Sequence, residues 1–229
     1  MIKFIKQIIR KLQEFFERYI FGDVLQKIIW KYGLVYRKHW PNGYHETIDT
    51  PHYHRHTIVN VIKGLDIDSI CEVACGNGFN LIQLRKTIPQ SYLIGVDINT
   101  NAITRAKEYF KNDINSRLLV SNADNLTKIA NNSIDVVLCD ALFMFVTPNK
   151  VDEVMSGLIR IARKYVILNE YSKKGVDNGF FYGGRWIYDL PSLISKHNSQ
   201  AIITIDKSPI QEQGAWCDYG KLIIASLEK

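Results

Sequence analysis

The chain has 229 residues, of which 46% are hydrophobic and 23% are charged, and its formal net charge is +6. This composition is typical of a globular protein, and the length suits one sizeable α/β domain with an attached extension. It argues against a membrane-spanning protein, because no apolar run approaches the roughly 20 residues that cross a bilayer. We also expect no signal peptide, because apolar and charged residues alternate at the N-terminus.

The positive charge is concentrated at the start of the chain. Residues 1–63 contain eleven Lys and Arg against five Asp and Glu, so the remainder is neutral. We therefore divide the chain into an N-terminal helical extension, residues 1–64, and a domain over residues 65–229. The four cysteines form no Cys-x-x-Cys pair, and three fall in or beside predicted core strands, which favours buried free thiols in a reducing cytoplasm.

Two helices are predicted in the extension. Residues 2–20 carry Ile, Leu and Phe at helical spacing on one face and Lys and Arg on most of the other. Such a helix either lies on an anionic membrane surface or packs on the domain or a second subunit, so a peripheral membrane location and a homodimer both stay open. A second helix is predicted from Val24 to Tyr32, ended by Gly33.

Residues 35–56 contain five of the six histidines, with Trp and Tyr between them. Thr50 and Pro51 are typical of an N-cap and first-turn proline, and predict a helix to about Gly64. A neutral histidine beside a hydroxyl group is a suitable general base near pH 7. Two alternatives stay open for this segment: a metal bound by histidines that share a helix face, or purely structural histidines. The candidate bases here are His45, His52 and His54, and the pair sharing a face is His52 with His56.

Residues 69–80 form the most informative stretch, an apolar strand that ends in a glycine turn and continues into a helix from Phe79 to about Thr87. Gly76 and Gly78 allow a tight turn and the close approach of a ligand, and the N–H groups of the helix point to the same place. A dinucleotide site would have a third glycine where Leu81 stands, and a phosphate loop would have Gly-Lys-Ser/Thr. The pattern indicates a nucleotide-like ligand other than these.

Further strands and helices alternate after this turn. Strands are predicted to end at Ala74, Asp97, Ser121, Asp140 and Asn169, with helices over 79–88, 100–111 and 149–163 and a short helix after residue 124. Two final strands, 200–206 and 220–227, end the chain as an antiparallel edge hairpin. The expected fold is α/β, a seven-stranded, mostly parallel Rossmann-like sheet with the last strand antiparallel and helices on both faces. Ligands of such sheets bind beyond the carboxyl ends of the strands.

Residues 72–78 read Glu-x-Ala-x-Gly-x-Gly, which resembles motif I of the class I S-adenosylmethionine-dependent methyltransferases, Asp/Glu-x-Gly-x-Gly-x-Gly. The departure is Ala74 at the first glycine. Asp97 resembles the ribose-binding acid of the second strand, Asp124 the residue near the adenine amino group, and Asp140 the strand end that faces the methyl group. The resemblance implies that S-adenosylmethionine is the cofactor. The residues that it implies for cofactor binding are Glu72, Ala74, Gly76, Gly78, Asn80, Asp97, Ile98, Asp124, Asn125 and Asp140.

In this family the segment before the first strand and a loop after the fifth help to form the acceptor pocket. By that resemblance the histidines at 45, 52 and 54, together with Asp140, are the catalytic candidates, and an aromatic loop over 175–189 covers the acceptor. Asp140 with Asn169 and Glu170 also resembles, loosely, the metal site of some O-methyltransferases, although we expect no metal. The candidate substrate-binding residues are Trp40, Tyr44, Phe143, Tyr171, Arg185 and Trp186.

The function that we expect is O-methylation of a sugar, a surface polysaccharide or glycolipid, or another small molecule, by a cytoplasmic enzyme at or near the inner face of the membrane. A DNA acceptor is not expected, because Asp140-Ala-Leu-Phe143 lacks the Pro-Pro of DNA amino-methyltransferases. Small-molecule N-methylation and RNA methylation are the alternatives, since a basic surface suits RNA. An alternative of another class is a non-catalytic subunit with this fold.

Overall fold

The computed structural model describes residue 12 and residues 22–32, 52–176, 178–210 and 214–227. The predicted helix over 2–20 and the segment with Trp40, Tyr44, His45, Thr50 and Pro51 lie outside these residues, apart from residue 12, which is helical.

Seven strands form one sheet in the spatial order β3-β2-β1-β4-β5-β9-β8. Strands β1 to β5 pair in parallel, and β9 runs antiparallel to both of its neighbours, so six strands share one direction. These strands are β1 (Ser69–Val73), β2 (Tyr92–Asp97), β3 (Ser116–Val120), β4 (Ile134–Asp140), β5 (Ala162–Tyr171), β8 (Ile202–Lys207) and β9 (Gly220–Ser226). The predicted Rossmann-like fold is confirmed.

Helices cover both faces of the sheet, and a small hairpin stands apart from it. The helices are α1 (Gly22–Tyr32), α2 (Tyr53–Lys63), α3 (Phe79–Thr87), α4 (Thr100–Tyr109), α5 (Val151–Ile161), α6 (Leu190–His197) and α7 (Ala215–Tyr219), with a 3₁₀ turn at Phe143–Phe145. The hairpin pairs β6 (Phe180–Tyr182) with β7 (Arg185–Ile187). No helix among the described residues is both long and apolar enough to cross a bilayer.

The two apolar layers follow from the sequence of the central strands. Every residue of β1 is buried, and β4 is buried up to its last residue, as expected for parallel strands that are covered on both faces. One layer packs α5 and α6 against the sheet, and the other packs α2, α3 and α4. The sheet therefore holds its carboxyl edge, where the polar strand ends meet, in a fixed arrangement.

Three details of the prediction are wrong. Turns, and no helix, follow Asp124, since Ser and Thr hydroxyls there bond to nearby groups in place of helical partners. The helix before β1 begins at Tyr53 with His52 as its N-cap, later than expected. The predicted aromatic loop contains the β6–β7 hairpin. The predicted antiparallel edge hairpin is confirmed, since β8 and β9 pair at one edge of the sheet with β9 next to β5.

Candidate functional site

A cavity of about 520 Å³ opens at the carboxyl edge of the sheet, within the size range of small-molecule sites. Its floor is formed by the ends of β1, β2 and β4 and by the loops that follow β3 and β4. Residues from α1 and α2 line one side, and residues from β5, β7 and α7 line another. The cavity therefore combines a cofactor side at the glycine turn with a more aromatic side beyond it.

The turn after β1 is built from residues with positive φ. Ala74, Gly76 and Gly78 have φ of 64°, 55° and 79°, so the alanine adopts a conformation that costs a residue with a Cβ roughly 1 kcal/mol. A Cβ at Gly78 would lie 3.3 Å from the Cβ of Ala106 in α4. Ala74 and Gly76 line the cavity, whereas Gly78 supports the turn from outside the lining.

Glu72, at the end of β1, has one paired and one unpaired carboxylate oxygen. Its side chain is 2% exposed, and its Oε1 accepts a hydrogen bond from Asn80 Nδ2 at 2.7 Å. Its Oε2 is buried with no hydrogen-bond partner among the described residues. Burial raises the pKa of Glu72 to about 8, although the Asn80 hydrogen bond opposes this. A cationic group in the cavity would supply the missing partner. Asn80, fully buried, positions Glu72 without lining the cavity.

Asp97, at the end of β2, is fixed by backbone N–H groups. Gly76 N donates to Asp97 Oδ2 and Asn99 N donates to Asp97 Oδ1, each at 2.8 Å. Burial raises the pKa of Asp97, and these backbone donors partly oppose the shift. The carboxylate and the adjacent Ile98 both line the cavity. A rigid acceptor at this point is suited to binding a pair of hydroxyl groups.

Asp124 lines the cavity beside α1, but it is already held by lysines. Lys27 Nζ of α1 lies 2.6 Å from Asp124 Oδ2, and Lys150 Nζ lies 3.9 Å from it. Asn125, which was predicted beside it as a cofactor contact, is exposed and accepts a hydrogen bond from Thr127. The structure therefore brings Asp124 to the site and leaves Asn125 outside it.

Two histidines and Asp140 form a continuous series of contacts at the cavity. His54 Nε2 lies 3.0 Å from Asp140 Oδ2, and His54 Nδ1 lies 2.5 Å from His52 Nδ1. The His54 side chain is nearly fully buried, whereas His52 is half-buried, and all three residues line the cavity. His56, which the metal alternative paired with His52, is exposed. No group of three or more His, Cys, Asp or Glu able to hold a metal occurs in the described part of the chain.

Asp140 is surrounded by donors. Besides His54, it accepts from Asn80 Nδ2 at 3.1 Å and Asn169 Nδ2 at 2.8 Å, and Arg55 Nη1 lies 3.5 Å away. Burial alone would raise the pKa of Asp140, but the His54 hydrogen bond, the charge of His54 when it is protonated, and the Arg55 guanidinium hold it well below its usual range. Asp140 is therefore a fixed anion that orients the histidines.

Asn169 and Glu170, which with Asp140 loosely resemble a metal site, have another structural role. Asn169 accepts from Ser208 Oγ at 2.6 Å while its amide donates to Asp140. Glu170 accepts a hydrogen bond from the backbone N of Leu142, and burial raises its pKa to about 8. Both residues therefore serve the strand ends and the following loop, and neither lines the cavity.

Of the predicted substrate-binding residues that the structure describes, two line the aromatic side of the cavity and two do not. Tyr171 and Arg185 line the cavity, and Tyr171 packs edge-on against Trp216 at 4.7 Å between ring centroids. Phe143 and Trp186 are buried in the core between the sheet and α5 and α6. We therefore reassign Phe143 and Trp186 from substrate contacts to the core.

Among the cavity residues that were not anticipated as part of the site are Lys27, Trp30 and Arg55. Lys27 and Trp30 come from α1, where Asn99 Nδ2 donates to the carbonyl of Trp30 at 2.9 Å. Arg55 comes from the histidine-rich helix and donates to Asn80 Oδ1 at 2.9 Å. Nothing in a local motif marks α1 as a cover for the cavity, although the positive charge of Arg55 among histidines was a usable signal.

Comparison with protein-family models matches residues 70–164 to a methyltransferase domain. No curated protein matches the chain in sequence. Among solved structures, magnesium protoporphyrin IX methyltransferase from Synechocystis PCC 6803, with bound S-adenosylmethionine, is 14% identical with a TM-score of 0.61, covering 90% of this chain and 96% of that one.

Two further solved structures share the fold. A methyltransferase from Aquifex aeolicus is 16% identical with a TM-score of 0.55, covering 76% of this chain and 89% of that one. Geranyl diphosphate C-methyltransferase from Streptomyces coelicolor A3(2) is 12% identical with a TM-score of 0.60, covering 79% and 82%. At these identities the structural similarity establishes a common fold.

Proposed function

We propose that this chain, which is an S-adenosylmethionine-dependent methyltransferase, methylates a hydroxyl group of a sugar, a surface polysaccharide or glycolipid, or another small molecule. The observation that carries the hydroxyl assignment is the His52–His54–Asp140 series at the cavity. A hydroxyl acceptor must lose a proton as it is methylated, and a positioned histidine is the usual group that takes it.

The cofactor side of the cavity fits S-adenosylmethionine. The unpartnered Oε2 of Glu72 suits the ammonium group of the amino-acid end, and the Asp97 carboxylate suits the ribose hydroxyls. The positive-φ turn at Gly76 allows the nucleoside to approach the backbone. When bound, the cofactor supplies a methyl group on a sulfonium, which is already activated for transfer. The protein therefore needs mainly to align the acceptor and to receive its proton.

The distances in the histidine series support a specific proton arrangement. His54 Nε2, next to the Asp140 carboxylate, carries a proton because that oxygen only accepts. The short contact between the two Nδ1 atoms needs one proton between them. We assign that proton to His52 Nδ1 in the resting state, which puts an acceptor lone pair on His52 Nε2. The backbone N of His54 donates to His52 Nδ1 at 3.5 Å as the helix cap, and this long contact is given up while Nδ1 carries the proton.

Proton transfer can then run along the series without leaving a buried group unpaired. His52 Nε2 accepts the proton of the acceptor hydroxyl, and the Nδ1 proton of His52 passes to His54 Nδ1. The resulting imidazolium of His54 lies between Asp140 and His52, where the Asp140 anion stabilises it. On this proposal His52 is the general base, His54 relays the proton, and Asp140 fixes the orientation of both.

The solved structures support a small acceptor. The names of the Synechocystis and Streptomyces proteins give magnesium protoporphyrin IX and geranyl diphosphate as what they methylate, and neither is a nucleic acid. The aromatic side of the cavity, with Tyr171 and Trp216, suits the ring of a sugar or of an aromatic acceptor.

The test of the activity is transfer of a labelled methyl group from S-adenosylmethionine to a fractionated host extract, with identification of the labelled linkage. We expect an O-methyl product in the small-molecule or glycan fraction. Label on nitrogen or in RNA would contradict the hydroxyl assignment. A thermal shift with S-adenosylmethionine, measured alongside, separates a failure of cofactor binding from a wrong acceptor.

The general base is tested with the acceptor that the labelling experiment identifies. His52→Gln should lower kcat by about 10²- to 10⁴-fold, the usual contribution of a general base, with cofactor binding unchanged. His54→Gln should lower kcat less and shift its pH profile. His56→Gln is the matched control, because His56 lies on the helix that His52 caps and is exposed. A His52→Gln enzyme with the kcat of His56→Gln would rule out the proposed base.

A further inference from the structure

The side chain of Asn80 lies between two carboxylates of the site. Asn80 is the second residue of α3 and is fully buried. Its Nδ2 donates to Glu72 Oε1 at 2.7 Å and to Asp140 Oδ2 at 3.1 Å. Glu72 is on β1 and Asp140 ends β4, and these two strands are neighbours in the sheet. A single amide group therefore connects the cofactor side of the cavity to the histidine series.

The orientation of this amide is fixed by Arg55. Arg55 Nη1 donates to Asn80 Oδ1 at 2.9 Å, so the oxygen of the amide faces the guanidinium. With the amide flipped, its NH₂ group would face the guanidinium and its oxygen would face two carboxylates, and all three hydrogen bonds would be lost. In the observed orientation the oxygen accepts from Arg55 and both hydrogens of the NH₂ group have acceptors. The surroundings therefore hold the amide in one orientation.

Asn80 contacts the same oxygen of Asp140 as His54 does. His54 Nε2 lies 3.0 Å from Asp140 Oδ2, the oxygen to which Asn80 donates. Asn169 donates to the other oxygen, Asp140 Oδ1, at 2.8 Å, and its own oxygen accepts from Ser208. Two amides therefore fix Asp140, and of these two it is Asn80 that also reaches the cofactor side.

The charge of Glu72 changes when a cation enters the cavity. Burial raises the pKa of Glu72 to about 8 in the ligand-free protein, and the Asn80 hydrogen bond opposes this. The other charged groups that act on Glu72 are Asp140 of β4, Arg55 of α2 and Asp97 of β2. An ammonium beside Oε2 favours the ionised form, and a hydrogen bond to an ionised carboxylate is roughly twice as strong as one to a neutral group. Cofactor binding therefore strengthens the bond between Asn80 and Glu72.

We propose that Asn80 is a positioning residue that links Glu72 to the histidine series through Asp140. Cofactor binding at Glu72 then fixes the amide, and with it the Asp140 oxygen that orients His54, while the methyl donor is in place. This inference rests on the proposed function, because it concerns the control of that same site. It predicts that a substitution of Asn80 changes both cofactor binding and methyl transfer.

The test compares two variants that each lose an amide donor to Asp140. Asn80→Ala loses the donors to Glu72 and Asp140, whereas Asn169→Ala, the matched control, keeps the donor to Glu72. Both asparagines are fully buried and lie outside the cavity lining. Asn80→Ser is a second variant, because one hydroxyl cannot donate to both carboxylates at once. Thermal unfolding shows that each variant is folded.

The first measurement is the pH dependence of the dissociation constant of S-adenosylhomocysteine, the product of the cofactor, with the full chain. Without the Asn80 donor the ionised form of Glu72 loses a strong hydrogen bond. The midpoint of the pH dependence should therefore rise by about one unit, and binding at about pH 7 should weaken about tenfold. Asn169→Ala should keep the midpoint and bind within about twofold of the unmodified chain. A general loss of packing would weaken binding without moving the midpoint.

The second measurement is the rate of labelled methyl transfer to the host extract at saturating S-adenosylmethionine. Both alanine variants should be at least about tenfold slower than the unmodified chain, because each leaves Asp140 and the histidines less well oriented. The expected pattern is thus loss of binding and transfer in the Asn80 variants, and loss of transfer alone in Asn169→Ala.

Three results would overturn the inference: an unmoved midpoint in the Asn80 variants, an equal shift in Asn169→Ala, or an unchanged transfer rate in Asn80→Ala. The unmodified chain tests the proposed function separately. If it binds no S-adenosylhomocysteine or transfers no label, the proposed function fails and this inference fails with it. If it does both while the Asn80 variants give one of the three results, only the role of Asn80 is wrong.

Discussion

Binding of the cofactor product should depend on the protonation of Glu72. The unpartnered Oε2 of this buried carboxyl suits an ammonium group, and only the ionised form pairs with it strongly. Burial raises the pKa of Glu72 to about 8 in the ligand-free protein. An ammonium beside it would lower that pKa, so binding at neutral pH releases a proton and affinity rises with pH up to the free pKa.

The size of the effect follows from the ionised fraction. With a pKa of about 8, roughly one Glu72 in thirty is ionised at about pH 6.5, against about half at pH 8, so the dissociation constant of S-adenosylhomocysteine should fall roughly 15-fold between them. Titration calorimetry in two buffers of different ionisation enthalpy should show close to one proton released near pH 7. Above about pH 9 the affinity for S-adenosylhomocysteine should stop rising, because Glu72 is then almost fully ionised.

Two variants make the test specific. Glu72→Gln should bind weakly with an affinity that no longer changes between these pH values. Glu170→Gln is the matched control, because Glu170 is equally buried with its pKa also raised to about 8, yet lies outside the cavity. A dissociation constant that is flat with pH in the unmodified protein would refute the reasoning, as would equal flattening by both substitutions.

Two further outcomes are expected. The pKa of Glu170 is raised well above the ordinary glutamate value, so the native state holds a proton that the unfolded state loses, and stability should fall as pH rises from about 5 to 8. In urea unfolding at these two pH values, Glu170→Gln should lose less unfolding free energy than the unmodified protein, with a difference of a few kcal/mol at most. An equal loss in the variant and the unmodified protein would contradict this expectation. Deletion of residues 2–20 should reduce binding to anionic vesicles, and equal binding of the shortened chain would exclude a membrane role for that segment.

Much of the cofactor side of the cavity could be read from the sequence. Glu72, Asp97 and Asp140 each end an apolar strand, and the ends of parallel strands meet at one edge whatever the rest of the chain does. The alternation of strands and helices then predicts the sheet itself. These inferences depend on local pattern and on a general rule of topology.

Other features depend on details that a local pattern does not contain. Because α2 begins at Tyr53, His52 is a cap outside the helix and its ring turns to His54, whereas a helix from Thr50 would have paired it with His56. Which of Arg185 and Trp186 faces the cavity depends on the strand register of the β6–β7 hairpin. A run of adjacent aromatic residues does not reveal that register. Lys27 and Trp30 attach α1 to the domain through contacts with residues distant in the chain, and no local sequence motif predicts such contacts.

The hairpin also limits how this wall of the cavity can change in evolution. If the turn stays two residues long, inserting or deleting one residue at Gly183-Gly184 would exchange the faces of Arg185 and Trp186, turning a charge into the core and an indole into the cavity. A one-residue insertion in this hairpin would therefore prevent the protein from folding. A substitution at 185, where the side chain lines the cavity, leaves the buried Phe181 and Trp186 in place.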